Sequence, residues 1–205
     1  MAELSCTPGQ TVGPFFGVAL PYRGGGSLVS DAHPDAVHLH GTVYDGAGHG
    51  VPDALVELWQ PDSAGRIVRQ AGSLRRDGSG FTGWGRAATD SDGRYVFTTV
   101  RPGVASRRRI APRGPRACDS ASARQGNAAF FAIAVFARGL LNRLFTRAYL
   151  PGADLDADPL LSTVDPTRRA TLLCAAESGY RFDIHLQGPN ETVFVTFEDD
   201  PGDPR

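Results

Sequence analysis

Val37-His38-Leu39-His40-Gly41-Thr42-Val43-Tyr44, closed by Asp45-Gly46, is the stretch on which the fold turns. It is strand-like, and its last two residues form a turn pair that stops it. The same grammar repeats downstream. Ala54-Leu55-Val56-Glu57-Leu58-Trp59 alternates apolar with other residues over the length of a strand. Arg94 to Val100 is β-branched and aromatic and follows the turn signal Asp90-Ser91-Asp92-Gly93. Phe130 to Phe136, Leu144 to Leu150, Tyr180 to Leu186 and Thr192 to Phe197 are further short runs bounded by Gly, Pro, Asn or Asp. Many short strands between turn signals predict an all-β chain, a β-sandwich.

Around that frame the rest is sparse. Residues 1–36 are rich in Gly and Pro without a period and are expected to form an extended N-terminal arm and loop, leaving the sandwich to residues 37–200. One short helix is predicted near 166–176: Asp165 can cap it, Pro166 suits its first turn, and Leu172, Leu173 and Cys174 supply apolar residues. No internal repeat and no second independent unit is visible.

Composition excludes several partners. The 205 residues carry a formal net charge of −1, which offers no electrostatic reason to expect nucleic acid or a membrane surface. The basic residues are all Arg, with no Lys, so arginine content by itself says little about function. No stretch approaches the roughly 18 apolar residues of a membrane span, and Met1 to Gln10 lacks the regions of a signal peptide. The expectation is a soluble, cytoplasmic protein. Cys6, Cys118 and Cys174 are an odd number at wide spacing and read as free thiols rather than a disulfide or zinc framework.

Chemistry-bearing motifs are few. His38 and His40 lie two apart on a predicted strand and so share a face, which is compatible with two metal ligands, but His33 and His49 fall in flanking loops and no third ligand is near. There is no Gly-x-Ser-x-Gly nucleophile elbow. No glycine-rich loop with a Lys leads from strand to helix to cradle phosphate.

Resemblance is more specific. Gly41 to Gly46 with Val51 to Gln60, and Gly85 to Phe97 with Arg101-Pro102-Gly103, resemble the sandwich shared by transthyretin-like modules and intradiol ring-cleaving dioxygenases. Thr7-Pro8-Gly9-Gln10-Thr11-Val12-Gly13-Pro14-Phe15-Phe16 looks like the N-terminal arm of the dioxygenases, and Glu57-Leu58-Trp59-Gln60 with Asp62 and Gly65 like their core strand and loop. Phe136-Ala137-Arg138-Gly139-Leu140-Leu141-Asn142-Arg143-Leu144-Phe145-Thr146-Arg147 resembles the alpha-type subunits of the protocatechuate-cleaving members. Tyr180 to Ile184 and Glu191 to Phe194 are similar too.

The resemblance implies ferric iron held by two tyrosines and two histidines in the metal-bearing members. Phenolate oxygens suit a hard trivalent ion and imidazole completes the shell. The same resemblance puts the ligand positions of this chain at Ile67, Ala105, Phe130 and Ala132, none of which can bind iron. It therefore implies a chain without metal, whose partner is an iron-bearing beta subunit in a hetro-oligomer that holds the Fe(III). The implied activity is O₂-dependent cleavage of 3,4-dihydroxybenzoate to 3-carboxy-cis,cis-muconate. By resemblance, Thr11, Gly13, Pro14 and Phe15 reach into the partner's pocket, and Arg138 lies near it, able to pair with the substrate's carboxylate or a partner carboxylate. A reading of a different class stays open: a stand-alone transthyretin-like binding domain without catalysis.

Residues 105–126 fit neither pattern. They are Arg, Ala, Ser, Pro and Gly with almost no apolar content and read as a basic loop. A divergent surface loop and a pair of compensating frameshifts in a GC-rich gene both account for them.

Overall fold

A computed structural model describes residues 11–13, 15–68, 80–105, 128–153, 156 and 158–195. Two sheets of four strands build the described part. In one, β1 (Ala36–Tyr44) pairs antiparallel with β4 (Arg94–Val100) and, along its other edge, parallel with the two-residue strands β7 (Tyr180–Arg181) and β8 (Ile184–His185). The other sheet runs in the order β3 (Trp84–Ala88), β2 (Leu55–Trp59), β5 (Phe130–Phe136), β6 (Leu144–Tyr149), with every pair antiparallel.

Alternation along the strands builds the core. Leu39 and Val43 of β1 and Phe131, Ile133 and Val135 of β5 point to one face and are buried, joined by Leu58, Tyr95 and Phe97. Odd-even alternation is what a strand with one covered face requires. Gln60, buried after β2, links the two sheets: its amide nitrogen donates to Val100 O at 2.9 Å, and its oxygen accepts from Thr99 Oγ1 at 2.7 Å. Gly41 lets the late strands cross β1, because a Cβ there would lie 1.9 Å from Phe182 O. That same carbonyl accepts the buried Tyr95 hydroxyl at 2.6 Å. Burial pushes the Tyr95 hydroxyl well above its ordinary range, so it stays a donor.

Six of the seven runs expected to be strands pair as such, the run over 180–186 dividing into β7 and β8. Of the run over 192–197, the described residues make one bridge, Val195 to Phe145. Strand β3 went unforeseen: Trp84-Gly85-Arg86-Ala87-Ala88 has no β-branched residue, and its identity comes from its neighbour β2.

The helix expected at 166–176 is instead a short 3-10 helix, Arg169–Leu172, preceded by turns. Two local forces shorten it. Asp165 spends its carboxylate on the N–H and hydroxyl of Thr167, an Asx-type turn rather than a run of helical bonds. Past Leu172 the backbone is captured by the edge of β6, where Cys174 N–H donates to Tyr149 O at 2.9 Å and Leu173 bridges to Tyr149. The other described helices are one turn of α-helix, α1 (Phe16–Ala19), and a second 3-10 turn, Leu161–Thr163.

The segment before β1 is joined to the sandwich. Leu28 is fully buried in the core and its N–H donates to Thr98 O at 2.8 Å. No helix among the described residues is long and apolar enough to cross a membrane. Residues 106–127, most of the basic segment, lie outside the described residues.

Candidate functional site

Two places gather the residues that the sequence singled out. The first is where the arm meets the turn after β5. Ala137 is buried, and Leu140 N–H donates back to Ala137 O at 3.2 Å, closing a β-turn with Gly139 at its third position. Gly139 has φ of +89°, the left-handed backbone that this turn position demands and that glycine adopts without strain. The turn aims two groups outward. Gly139 N–H donates to Thr11 Oγ1 at 2.7 Å, tying the arm to the turn across 128 residues of sequence. The Arg138 guanidinium donates through Nη2 to Asp53 Oδ2 at 3.1 Å, with both side chains more than half exposed.

Asp53 is the hub of this place. It also stands in the left-handed region, with φ of +58°, a conformation that costs energy for a residue bearing a Cβ. Its side chain packs against the arm: a Cβ on Gly17 would lie 3.1 Å from Asp53 Cβ. Arm, β2 entry and Arg138 thus meet at one carboxylate. Gly13 O accepts from Phe16 N–H at 3.1 Å at the start of α1, Phe16 is buried, and Phe15 is 77% exposed. Thr11, Gly13, Phe15 and Arg138 are therefore brought to one side of the molecule, while Pro14 lies outside the described residues. Next to them a cavity of about 490 Å³ is lined by Val12, Phe136, Leu140, Leu141 and Phe145. Sequence reasoning gave Asp53 no role. The signal available was a carboxylate just before a core strand, which is common and uninformative on its own.

The second place is a cavity of about 440 Å³ at one end of the β3-β2-β5-β6 sheet. Ile67, Ala105, Phe130 and Ala132 all line it, together with Trp59 and Trp84. Four positions spread over 66 residues of sequence, chosen as equivalents of metal ligands, thus converge on a single cavity. The ferric ion implied by the resemblance does not fit there, because isoleucine, alanine and phenylalanine side chains offer no donor atom. Instead Phe130 packs against Tyr149, ring centres 5.4 Å apart, and carries the Arg147 guanidinium over its face at 4.3 Å. Burial pushes the Tyr149 hydroxyl up to about 12, against the pull of Arg147.

The histidine pair does not converge on a metal. His38 is exposed, and His40 Nε2 pairs with the backbone oxygen of Glu177 at 2.9 Å. No group of three or more His, Cys, Asp or Glu able to hold a metal occurs among the described residues.

A family model described as "Dioxygenase" matches residues 14–188. The protocatechuate 3,4-dioxygenase alpha chain of Burkholderia cepacia is 38% identical over 214 residues, covering 95% of this chain and 98% of that protein. The protocatechuate 3,4-dioxygenase beta chain of the same organism is 33% identical over 169 residues, covering 77% of this chain and 67% of that protein. Among solved structures, the dioxygenase domain of a dioxygenase carbohydrate-binding protein fusion from Streptomyces sp. SirexAA-E superposes with a TM-score of 0.54 at 26% identity, covering 90% of this chain and 99% of that one.

Proposed function

The chain belongs to the intradiol dioxygenase family, among the protocatechuate 3,4-dioxygenase alpha chains, and from that premise we propose that it is the metal-free half of a two-chain active site. The observation that carries this reading is the convergence of Ile67, Ala105, Phe130 and Ala132 on one cavity without a donor atom among them. A chain so built serves ring cleavage by lending its surface to a partner that has the ligands.

The partner is an iron-bearing beta subunit, and the substrate is 3,4-dihydroxybenzoate, opened by O₂ to 3-carboxy-cis,cis-muconate. The partner's ferric ion supplies the activation of the dihydroxylated ring. This chain supplies the rest of the wall. Thr11, Gly13, Pro14 and Phe15 close the pocket from the side of the arm, with Gly13 permitting close backbone approach and Pro14 limiting the loop's freedom. Arg138 presents a permanently charged planar donor to the substrate's carboxylate. Its contact with Asp53 uses one terminal nitrogen, which holds the guanidinium in place while leaving its other edge to a second acid. Exposed Phe15 and Leu141 beside that rim are the kind of surface that a partner covers.

Co-expression with an iron-bearing partner tests the proposal. The expected result is a stable hetero-oligomer with protocatechuate turnover, and an Arg138→Ala form in which kcat/KM falls about tenfold to a hundredfold, the range of a lost charge-assisted bond. Unchanged turnover and affinity in that variant would remove Arg138 from the pocket. A lone chain that stays monomeric beside such a partner would favour the stand-alone binding domain instead.

A further inference from the structure

Among the described residues, the side chains around the cavity at the end of the β3-β2-β5-β6 sheet do not fill it. Trp59 is 55% exposed and Ile67 68% exposed, although both line a recess rather than an open face. Leaving large apolar surface in water is costly, and a ligand that covers it recovers about 25 cal/mol for each Å² removed from solvent. The lining holds three aromatic rings, Trp59, Trp84 and Phe130, with the two tryptophans tilted at 53° and their centres 5.6 Å apart. Among the described residues no acid or base lines it. Of its polar side chains, Gln60 is held by Val100 and Thr99, and Thr82 Oγ1 donates to Trp84 O at 3.0 Å, while the two indoles carry N–H groups but no charge. No described lining residue carries a charge that would offset the desolvation of an ionised group.

We propose that this cavity is a binding site for a small uncharged aromatic molecule. Its volume of about 440 Å³ lies in the range of small-molecule sites and exceeds the needs of a single ring. Selectivity follows from the lining: a ring without charge gains contact with Trp59, Trp84 and Phe130, whereas a ring carrying a carboxylate must give up its water without a charged partner among the described lining residues. The site thus differs in kind from the charged rim at Arg138. It stands on the lone chain and does not depend on the partner.

The sequence contains two tryptophans, and both line the cavity. Their emission, excited at the red edge, therefore reports this site in the full-length chain. Toluene is the probe and benzoate its charged counterpart of similar size. Toluene is expected to shift the emission to the blue in a saturable way, with benzoate weaker by about tenfold or more, the factor that ~1.4 kcal/mol of uncompensated desolvation gives. Ala132→Leu extends a side chain into the recess from β5, opposite Trp59 in register, and should abolish the toluene response while cooperative melting persists. Should that variant fold poorly, Ala105→Phe fills the same space from outside the strands. A toluene response that does not saturate overturns the proposal. So does an equal response to benzoate, or one that survives both fillings. An emission shifting with protein concentration alone overturns it too, since a second copy would then occupy the recess.

Discussion

The two places where this chain could meet a small molecule differ in what they have kept. At the end of the β3-β2-β5-β6 sheet, the cavity presents hydrocarbon at all four ligand-equivalent positions. At the arm, the polar groups persist and are organised: Thr11 holds the Gly139 amide, and Asp53 holds Arg138. A site that has lost its ionic donors can tolerate apolar side chains, because burying a charge without partners would cost more than leaving the position greasy. On the proposed function, the rim that faces the partner has no such freedom. Its charge must remain exposed, oriented and incompletely satisfied. On that same proposal, the contrast is between a cavity without ligand side chains in the chain's own sandwich and organised polar groups on the arm side that serve recognition.

The contrast is broken most severely by putting the donors back. The quadruple variant Ile67→Tyr, Ala105→Tyr, Phe130→His, Ala132→His should bind ferric iron in proportion to protein, where the parent chain is expected to bind none. Metal analysis of the purified full-length chain checks it, along with the colour that phenolate coordination gives to ferric iron. The opposing influence is local: the Arg147 guanidinium lies over the Phe130 ring and will disfavour a nearby cation. Replacing Arg147 by Gln in the same background should therefore strengthen the metal. If a folded quadruple variant takes up no iron, the correspondence of these positions with the ligands is wrong, and the cavity is only a packing defect.

Legibility divided along the same line. Strands β2, β4 and β5 were readable from local pattern: β2 alternates, β4 is β-branched and aromatic after a turn signal, and β5 is a short apolar run between turn-forming residues. The four positions that the resemblance equates with metal ligands were picked by fixed offsets from motifs, Trp59-Gln60, Pro102-Gly103 or the strand before Arg147. That they share one cavity follows from packing of β5 against β2 and the loops beyond them, which no offset encodes. Strand β3 was lost for lack of propensity. The helix near 166–176 was overstated because capping signals are local, whereas the pull of the β6 edge on Leu173 and Cys174 is tertiary. Asp53 stayed invisible for the same reason: its partner Arg138 is 85 residues away.

A smaller effect sharpens the other side of the contrast. Asp53→Asn keeps the shape and removes the charge that steadies Arg138. In the two-chain enzyme the KM for 3,4-dihydroxybenzoate should rise about threefold to tenfold, in keeping with an exposed ion pair of up to ~1 kcal/mol and some loss of orientation. kcat should change less, because the substitution touches binding rather than bond making. The KM for 4-methylcatechol, a ring of like size without the acid, should stay as it was. An equal rise for both substrates would mean that Asp53 only supports the arm through Gly17. A fall in the KM for the acid would mean that Asp53 competes with substrate for Arg138 instead of holding it ready.

The smallest effect isolates the arm itself. Thr11→Val is nearly the same shape but cannot accept the Gly139 N–H, whose bond to Thr11 Oγ1 is 2.7 Å. The lost bond is exposed, so water replaces it in part, and the expected cost is about 0.5–1 kcal/mol. Hydrogen exchange at the Gly139 amide should therefore quicken by about threefold to fivefold in the variant. Amides of β5 such as that of Ile133, inside the sheet, should keep their protection, because the sandwich core does not lean on this contact. If exchange at Gly139 is unaltered, the arm is not fastened to the turn in solution, and Thr11 cannot be what fixes its place on the rim. If the loss spreads into β5, the arm is part of the core rather than of the recognition surface, and the division between the two regions fails at that seam.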